Sequence, residues 1–345
     1  MIYYYIYVII SLFCIVMENY IKTEKEKKGV LLLAILPVFV LIAFKASSVG
    51  SDTPVYITMF EEHTSDSFVK GDEGRIEYGY VIFQRLLYYI SHDPQIIFIA
   101  TGLVVSLACY KFFLNNARNS CLALYFFMSL GFLGFSLSGI RQTLAISIIL
   151  LSFQYIKEKK LYKFLLMVGL AMLFHKSAAC FIPVYFVAHR SLGTKQVNLM
   201  FLGALVLFFF ADKFLWGVEA ILNYNYGLEE TGNGYIFFGV ILLITILVIR
   251  SRQRILSSLS SNETMININF LSLAAWTVRL VSRTAERVSL YYLPFTAIAL
   301  EEFITSDKKN RIEWTVAWFF VATYLFLRRI GIQEDLSNYT FFFLQ

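Results

Sequence analysis

The sequence predicts an all-α integral membrane protein, built as a polytopic helical bundle. Of its 345 residues, 58% are hydrophobic and only 16% are charged. Soluble domains contain about 45–50% apolar and about 25% charged residues. The polar residues are therefore too few to cover a soluble protein of this length. The apolar runs are continuous rather than alternating, which excludes a transmembrane β-barrel.

Apolar segments recur along the whole chain, and a membrane span needs about 20 such residues, with a range of roughly 17–25. We expect about 11–12 spans in a single polytopic membrane domain over residues 1–345. The predicted segments cover residues 2–20, 29–46, 94–114, 120–138, 142–156, 161–174, 177–189, 197–211, 234–249, 264–281, 288–304 and 312–328. Within 161–190 the pattern allows either two short spans or a re-entrant hairpin, and both return the chain to the same side.

Basic residues set the orientation of these segments, because short cytoplasmic loops of membrane proteins carry an excess of Lys and Arg. With the N-terminus outside, the short cytoplasmic loops hold 18 of the 30 basic residues. The segments 47–93 and 212–233 then face the outer side, and both carry more acid than base. Topology thereby explains the net charge of +6, and we expect no nucleic-acid partner.

The segment 47–93 is predicted to be an outer-face loop that contains one amphipathic helix. Apolar residues recur in it at spacings of three and four, which is typical of one face of a helix. These residues are Ile76, Tyr80, Phe83, Leu87 and Ile90. We expect this helix to lie along the outer interface rather than to cross the bilayer.

Several basic residues contradict the charge bias, because they fall on the outer side. They are Lys45, Lys70, Arg75, Arg85, Arg141, Lys176, Lys213, Arg279, Arg283, Arg287, Arg328 and Arg329. A charge at the centre of a membrane helix costs about 2.5–3.5 kcal/mol on insertion scales, so a basic residue near a span calls for a reason. We expect those at span ends to face a shared cavity.

Two of the unusual residues lie in turns between apolar segments. Arg141 stands beside Gly139 and Gln142, and it is either an Arg that extends to the interface or an anion ligand. We favour the ligand. His175, followed by Lys176, either ends a helix by bonding a carbonyl or contributes to a polar pocket at the mouth of the cavity.

Arg279, Arg283 and Arg287 are spaced by four and form one stripe if the stretch is helical, with Glu286 placed to neutralise Arg283. The planar fork of Arg binds phosphate oxygens bidentately, so the stripe favours a phosphorylated ligand over a solvated helix end. Asp52 lies in an Asp-Thr-Pro turn, where it is either a helix cap or a carboxylate beside the cationic cavity.

Signatures of several other chemistries are missing from the sequence. It contains no P-loop, no GxSxG, no HExxH and no DxD pair. ATP-driven transport and soluble-type nucleotide-sugar transfer therefore lack their usual motifs. The four cysteines lie inside apolar runs with no Cys/His cluster, so we expect neither a metal site nor a cofactor.

Four short motifs follow one another in a recognisable order. They are G-x-D-T-x-x-Y at 50–56, I-R-Q-x-L-A at 140–145, A-x-x-F-H-x-S-A at 171–178 and R-x-S-x-Y-Y at 287–292. On a multispan chain, these motifs resemble the EpsG family of Wzy-type exopolysaccharide and capsule repeat-unit polymerases, and the resemblance covers most of the chain. It assigns site roles to Asp52, Arg141, His175 and Arg287. Arg279 and Arg283 are added from their spacing alone.

The resemblance implies a helical membrane fold of the lipid-linked glycosyltransferase (GT-C) type, acting at the outer face of the cytoplasmic membrane. Its substrates would be oligosaccharides on undecaprenyl pyrophosphate. The growing glycan would move onto one repeat unit and undecaprenyl pyrophosphate would leave, without a nucleotide sugar. The implied partners are the bilayer and the flippase and chain-length regulator of the same pathway.

The chemistry so implied sets the role of each residue. Arginines, with Arg141 first, would bind the pyrophosphate and stabilise its developing charge, while Asp52 or His175 would serve as base. The other arginines in this role are Arg287, Arg283 and Arg279. We expect Arg141, His175 and Arg287 within about 10–15 Å of one another, in a pocket for a pyrophosphate and one or two sugars.

Two other functions fit part of the sequence. A flippase or transporter of lipid-linked oligosaccharide would also place cations near a pyrophosphate, but it should show pseudo-repeated halves, and none is visible. A membrane O-acyltransferase or ligase acting on surface glycan would need a catalytic His reached by a donor from inside. His175 is predicted to lie outside, which weakens that interpretation.

The orientation can be tested by labelling single cysteines with an impermeant thiol reagent in intact cells. We expect labelling within 47–93 and 212–233, because these acidic loops face outward, and none at 22–28, 157–163 or 250–254. Labelling of 157–163 from outside would overturn the orientation and the outer-face site that depends on it.

Overall fold

The structure, a computed structural model, describes residues 1–63, 76–191, 193–222, 234–258, 263–280 and 285–344. All regular elements in these ranges are helical. The helices are α1 (Ile2–Glu18), α2 (Glu24–Ala43), α3 (Thr53–His63), α4 (Tyr78–Tyr88), α5 (Gln95–Asn116), α6 (Ser120–Phe127), α7 (Leu133–Ser136), α8 (Ile140–Lys157), α9 (Leu161–Met172), α10 (Ile182–Ala188), α11 (Thr194–Leu222), α12 (Tyr235–Arg250), α13 (Arg252–Ser258), α14 (Glu263–Arg279), α15 (Ala285–Ser289), α16 (Leu293–Ser306), α17 (Arg311–Ile332) and α18 (Glu334–Ser337). Lys70, Arg75 and Arg283 lie outside the described residues.

The predicted apolar segments all coincide with helices, so the helical fold class is confirmed. The segment 120–138 is α6, a π-helical turn at Met128–Phe132 and α7. The stretch 161–190 is not one continuous helix, because a 3₁₀ helix at Lys176–Phe181 separates α9 from α10. The helix predicted to end at 46 ends at Ala43, since the chain beyond it pairs with the C-terminal segment through Ala46 N–H to Thr340 O and Phe342 N–H to Phe44 O.

By length and composition, α5 and α17 are each sufficient to cross a membrane, and several other apolar helices are shorter. The total of about 11–12 spans and the GT-C architecture stay predictions. The chain forms two compact units, Met1–Ala179 with Thr315–Gln345, and Cys180–Trp314. The single polytopic domain likewise stays a prediction.

The first unit is built on α5, which packs against α2 on one side and α8 on the other, while α9 packs against α8. The helix predicted in the outer loop is present as α4. Tyr80 and Leu87 are buried and Phe83 is half-buried, in a core with Tyr56 of α3 and Ile140 of α8.

The exception on this helical face is Ile90, which is 74% exposed because α4 ends at Tyr88. The opposite face of α4 is also apolar and exposed, with Tyr78, Ile82 and Leu86 at helical spacing. These side chains are exposed among the described residues, and the position of α4 at the membrane interface stays a prediction.

One basic residue, Lys45, lies completely inside the first unit with an exposed fraction of 0%. Its ammonium donates to the carbonyl oxygens of Val49 (3.1 Å) and Leu137 (2.6 Å) and to the hydroxyl of Thr53. The ammonium also lies 4.4 Å from the centre of the Phe98 ring. A buried charge is tolerated only when its donors are satisfied. Lys45 therefore joins the loop after α2 to the start of α3 and to the turn before α8.

The same loop approaches the turn before α8 at Gly50. Its φ is +88°, in the left-handed region that favours glycine. A Cβ built on Gly50 would lie 2.1 Å from the Leu137 carbonyl oxygen, so only glycine fits. The first motif is thus in backbone contact with the turn that precedes the second, although about 90 residues separate them in sequence.

The second unit is organised around α14, which packs against α10, α11, α12 and α16. Asn267 of α14 is buried and donates to the carbonyls of Val187, Ala188 and Arg190 at the end of α10. Asn269 donates to the hydroxyl of Thr245 on α12 at 3.0 Å. The Asn267 amide thereby satisfies backbone carbonyls at the end of α10, which lack partners within the helix. The Asn269 amide joins α14 to α12.

The Lys45 network predicts the stability of a substituted protein. Lys45→Met keeps the apolar stem but removes three hydrogen bonds, and an unsatisfied buried acceptor costs about 1–3 kcal/mol. We expect a clear drop in the midpoint of thermal unfolding of the purified protein. Lys111→Met, at an exposed lysine of α5, is the matched control and should change the midpoint little. Equal midpoints for the two variants would contradict the role given to Lys45.

Candidate functional site

Arg141 is the second residue of α8, where the predicted tight turn opens the helix. Its Nη1 donates to the Glu77 carboxylate at 2.7 Å, and the two side chains are 24% and 9% exposed. The other carboxylate oxygen of Glu77 accepts the backbone N–H of Lys176 at 3.2 Å. One carboxylate therefore bridges Arg141 and the turn that carries His175.

Tyr56 of α3 lies on the other side of Arg141. Its hydroxyl is hydrogen-bonded to Arg141, and the residue is only 4% exposed. Burial raises the pKa of the Tyr56 hydroxyl, and the Arg141 guanidinium partly offsets that rise. The phenol therefore stays neutral near pH 7 and can donate or accept a hydrogen bond beside the guanidinium.

Asp52 is half-buried one position before α3. Its charge acts on both Tyr56 and Lys45, which places the carboxylate near the hydroxyl and the buried ammonium. The Ser51 hydroxyl donates to Asp52 Oδ1 at 3.3 Å. Asp52 and Arg141 thus both act electrostatically on the Tyr56 hydroxyl.

His175 follows α9 in a turn whose geometry defines the state of its ring. The backbone N–H of Ser177 donates to His175 Nδ1 at 3.3 Å, and the Ser177 hydroxyl lies 2.7 Å from the same nitrogen. A backbone N–H can only donate, so Nδ1 carries the lone pair and the proton of the neutral ring is on Nε2. The turn therefore presents an N–H at Nε2 rather than a basic nitrogen.

The predicted residues of the second unit are distributed over two helices. Arg279 ends α14, where its side chain is 8% exposed and its Nε donates to Glu286 of α15 at 2.8 Å. The guanidinium also packs against the backbone at Gly234. The helix α14 ends at Arg279 and α15 begins at Ala285, and the predicted three-Arg stripe stays a prediction. Arg283 lies between them, outside the described residues.

Arg287 lies in α15 and is exposed, unlike the rest of its motif. Ser289 is buried and its hydroxyl donates to the Glu286 carbonyl at 2.7 Å. Tyr291 is buried, and the Tyr292 hydroxyl donates to the Cys180 carbonyl at 2.5 Å. The Ser and Tyr residues of R-x-S-x-Y-Y therefore hold the segment in place, and Arg287 is its exposed residue. The convergence of Arg287 with Arg141 and His175 stays a prediction.

Two residues that join the first-unit site together, Glu77 and Tyr56, were not predicted as site residues. Tyr56 was visible as the last position of G-x-D-T-x-x-Y. The sequence indicates Glu77 less clearly, only as an acidic residue directly before the amphipathic helix. Its pairing with Arg141 bridges 64 positions of sequence, so no local spacing reveals it.

The first-unit arrangement can hold an anion and transfer a proton. Arg141 supplies a planar donor fork, Tyr56 a hydroxyl, and the turn at 175–177 backbone and ring N–H groups. Asp52 supplies a carboxylate, which is a proton acceptor. Within the described ranges, no group of three or more His, Cys, Asp or Glu side chains is arranged to bind a metal ion.

Comparison with known families gives one result for nearly the whole chain. The model of the EpsG family matches residues 28–342, which include all four sequence motifs. Comparisons with curated proteins and with solved structures return no significant match.

Proposed function

Because the chain belongs to the EpsG family, which is Wzy-type polymerase-like, we propose that it joins oligosaccharide repeat units carried on undecaprenyl pyrophosphate. Membership supports a polymerase-type membrane enzyme of exopolysaccharide synthesis at the family level. The proposal adds the lipid-linked donor, the outer face of the cytoplasmic membrane and the release of undecaprenyl pyrophosphate. The flippase and the chain-length regulator of the pathway are its proposed partners.

The observation that carries the proposal is the position of Arg141 at the start of α8. A partly buried guanidinium stands there with a carboxylate on one side and a neutral hydroxyl on the other. The reaction needs a cation because negative charge develops on the departing pyrophosphate. A preorganised donor in a poorly hydrated site stabilises that charge more than water does.

The proposed reaction breaks the bond between the anomeric carbon of the donor glycan and its phosphate oxygen. An acceptor hydroxyl oxygen forms the new glycosidic bond to that carbon. The electron pair of the broken bond stays on the pyrophosphate, where Arg141 offsets its charge, and the role of Arg287 at the same phosphate stays a prediction from the sequence. The proton of the acceptor hydroxyl passes to a base. The reaction consumes no nucleotide and needs no external reductant.

The geometry favours Asp52 over His175 as that base. The Nδ1 lone pair of His175 is directed to the Ser177 N–H, so the neutral ring offers a donor rather than an acceptor at Nε2. Asp52 carries a carboxylate, which can accept a proton, and its charge acts on the neighbouring Lys45. We assign Asp52 to proton acceptance and His175 to hydrogen bonding with a phosphate or sugar oxygen.

A transporter of lipid-linked oligosaccharide is the second candidate, because it would also bind a pyrophosphate at Arg141. It would not need a proton acceptor at Asp52. An O-acyltransferase would need His175 as base, which the Ser177 contact disfavours. Substitution of Arg141, and of Asp52 compared with His175, separates these functions.

Substitution of Arg141 tests the pyrophosphate site in a strain that lacks the chromosomal gene. Arg141→Ala should abolish polymer and leave single-repeat lipid intermediates, at near-normal protein level. Arg141→Lys should rescue little, because the bidentate fork is lost. Arg85→Ala, at an exposed arginine of α4, is the control and should polymerise normally. Normal polymer from Arg141→Lys would show that a point charge suffices and that the fork argument is wrong.

The base is tested by comparing Asp52→Asn with His175→Gln for polymer length and amount. General-base catalysis typically contributes about 10²–10⁴-fold, so Asp52→Asn should lose at least about a hundredfold in rate. His175→Gln keeps an N–H donor near the Nε2 position and should retain much more activity than His175→Ala. Activity in Asp52→Asn together with an inactive His175→Gln would reverse the assignment.

A further inference from the structure

We propose that Glu77 occupies the position on Arg141 that a substrate phosphate takes, and that anion binding displaces it. This inference rests on the proposed function, because it concerns how the same site changes between its empty and its loaded state. In this inference, Glu77 competes with the substrate for Arg141 and is not a catalytic residue.

The contact between Glu77 and Arg141 is of the type that a phosphate makes. A carboxylate oxygen accepts from Arg141 Nη1 at 2.7 Å, within the range of a charge-assisted hydrogen bond. Both side chains are mostly buried, so the carboxylate neutralises a guanidinium that would otherwise be costly to desolvate. A phosphate placed on the same nitrogen would face a like charge at close range. The two anions are therefore expected to exclude each other.

Glu77 is also linked to the His175 turn. Its second oxygen accepts the Lys176 N–H at 3.2 Å. Displacement of the carboxylate would release this N–H. Lys176 lies in sequence between His175 and Ser177, whose ring nitrogen and hydroxyl contact each other. Anion binding at Arg141 is thereby coupled to the turn that presents His175.

The backbone around Glu77 is held independently of the ion pair. Glu77 is the residue before α4, its side chain makes no capping hydrogen bond, and its carbonyl accepts the Tyr80 N–H at 3.0 Å. Two residues later, a Cβ on Gly79 would lie 2.6 Å from the Leu173 carbonyl oxygen, so α4 is in close backbone contact with the end of α9. The carboxylate can thus leave Arg141 while α4 stays in place.

The Glu77 carboxylate could instead serve to orient Arg141, and the two roles predict opposite effects on anion binding. If Glu77 orients Arg141, removal of its charge weakens anion binding. If Glu77 competes with the anion, removal of its charge strengthens anion binding. Allosteric and competitive couplings of this kind typically change affinity about 5–150-fold.

The experiment measures binding of inorganic pyrophosphate to the full-length purified protein in lipid nanodiscs by calorimetry. We expect Glu77→Gln, which keeps the shape and removes the charge, to bind pyrophosphate about tenfold more tightly than the unmodified protein. Glu62→Gln, at an exposed glutamate of α3, is the matched control and should leave the affinity unchanged. Arg141→Ala should bind no measurable pyrophosphate.

A second measurement needs no substitution and so does not depend on the folding of a variant. Hydrogen exchange of the unmodified protein should show faster exchange at the Lys176 amide when pyrophosphate is added, because its acceptor has moved away. A purely structural Glu77 would leave that amide unchanged or better protected.

The outcomes separate this inference from the proposed function. Equal or weaker pyrophosphate binding by Glu77→Gln, no binding by any form, or an unchanged Lys176 amide would overturn the displacement of Glu77. If polymer synthesis is lost in Arg141→Ala in that case, the proposed function stands without it. If instead Glu77→Gln binds more tightly while Arg141→Ala still polymerises, the anion site is real and the proposed function fails.

Discussion

The arrangement of the first unit depends on the buried ammonium of Lys45. Its three donors are taken by oxygens from three places, Val49, Thr53 and Leu137, and the ammonium also lies over the Phe98 ring. Because no water can replace these partners in the interior, each of them is fixed in direction as well as in distance. The consequence is that the loop before α3 and the turn before α8 are held together at a lysine that belongs to neither helix.

That junction determines what the site can do. Gly50 brings its backbone onto the Leu137 carbonyl, and the chain then leads within a few residues to Asp52 and Tyr56 on one side and to Arg141 on the other. The first motif is therefore in contact with the turn that leads into the second. In the proposed function, Gly50 serves this junction and Asp52 and Arg141 serve the chemistry.

In each of the two units, buried cations lie beside a carboxylate of the same unit. Arg141 pairs with Glu77, Arg279 pairs with Glu286, and Lys45 lies near Asp52. Balanced pairs keep the desolvation cost of cations near a membrane moderate. In the proposed displacement of Glu77, an anionic substrate replaces an internal partner, so binding and rearrangement are one event at Arg141. Family membership supports the class of reaction at the family level. The ion pairs show how this chain holds its cations near a membrane.

The sequence by itself determined the helical fold class and the position of nearly every helix, because apolar length and periodicity are local properties. It also predicted Asp52, Arg141 and His175 as site residues, since their residue types are unusual beside apolar segments. Only the tertiary structure joined them, through Glu77 and Tyr56, because contacts between residues 64 or more positions apart leave no trace in local spacing. It likewise showed that Arg279 pairs with Glu286, since a contact between the ends of two helices depends on how they pack. The tautomer of His175 was decided by a single backbone N–H, whose direction no residue pattern encodes.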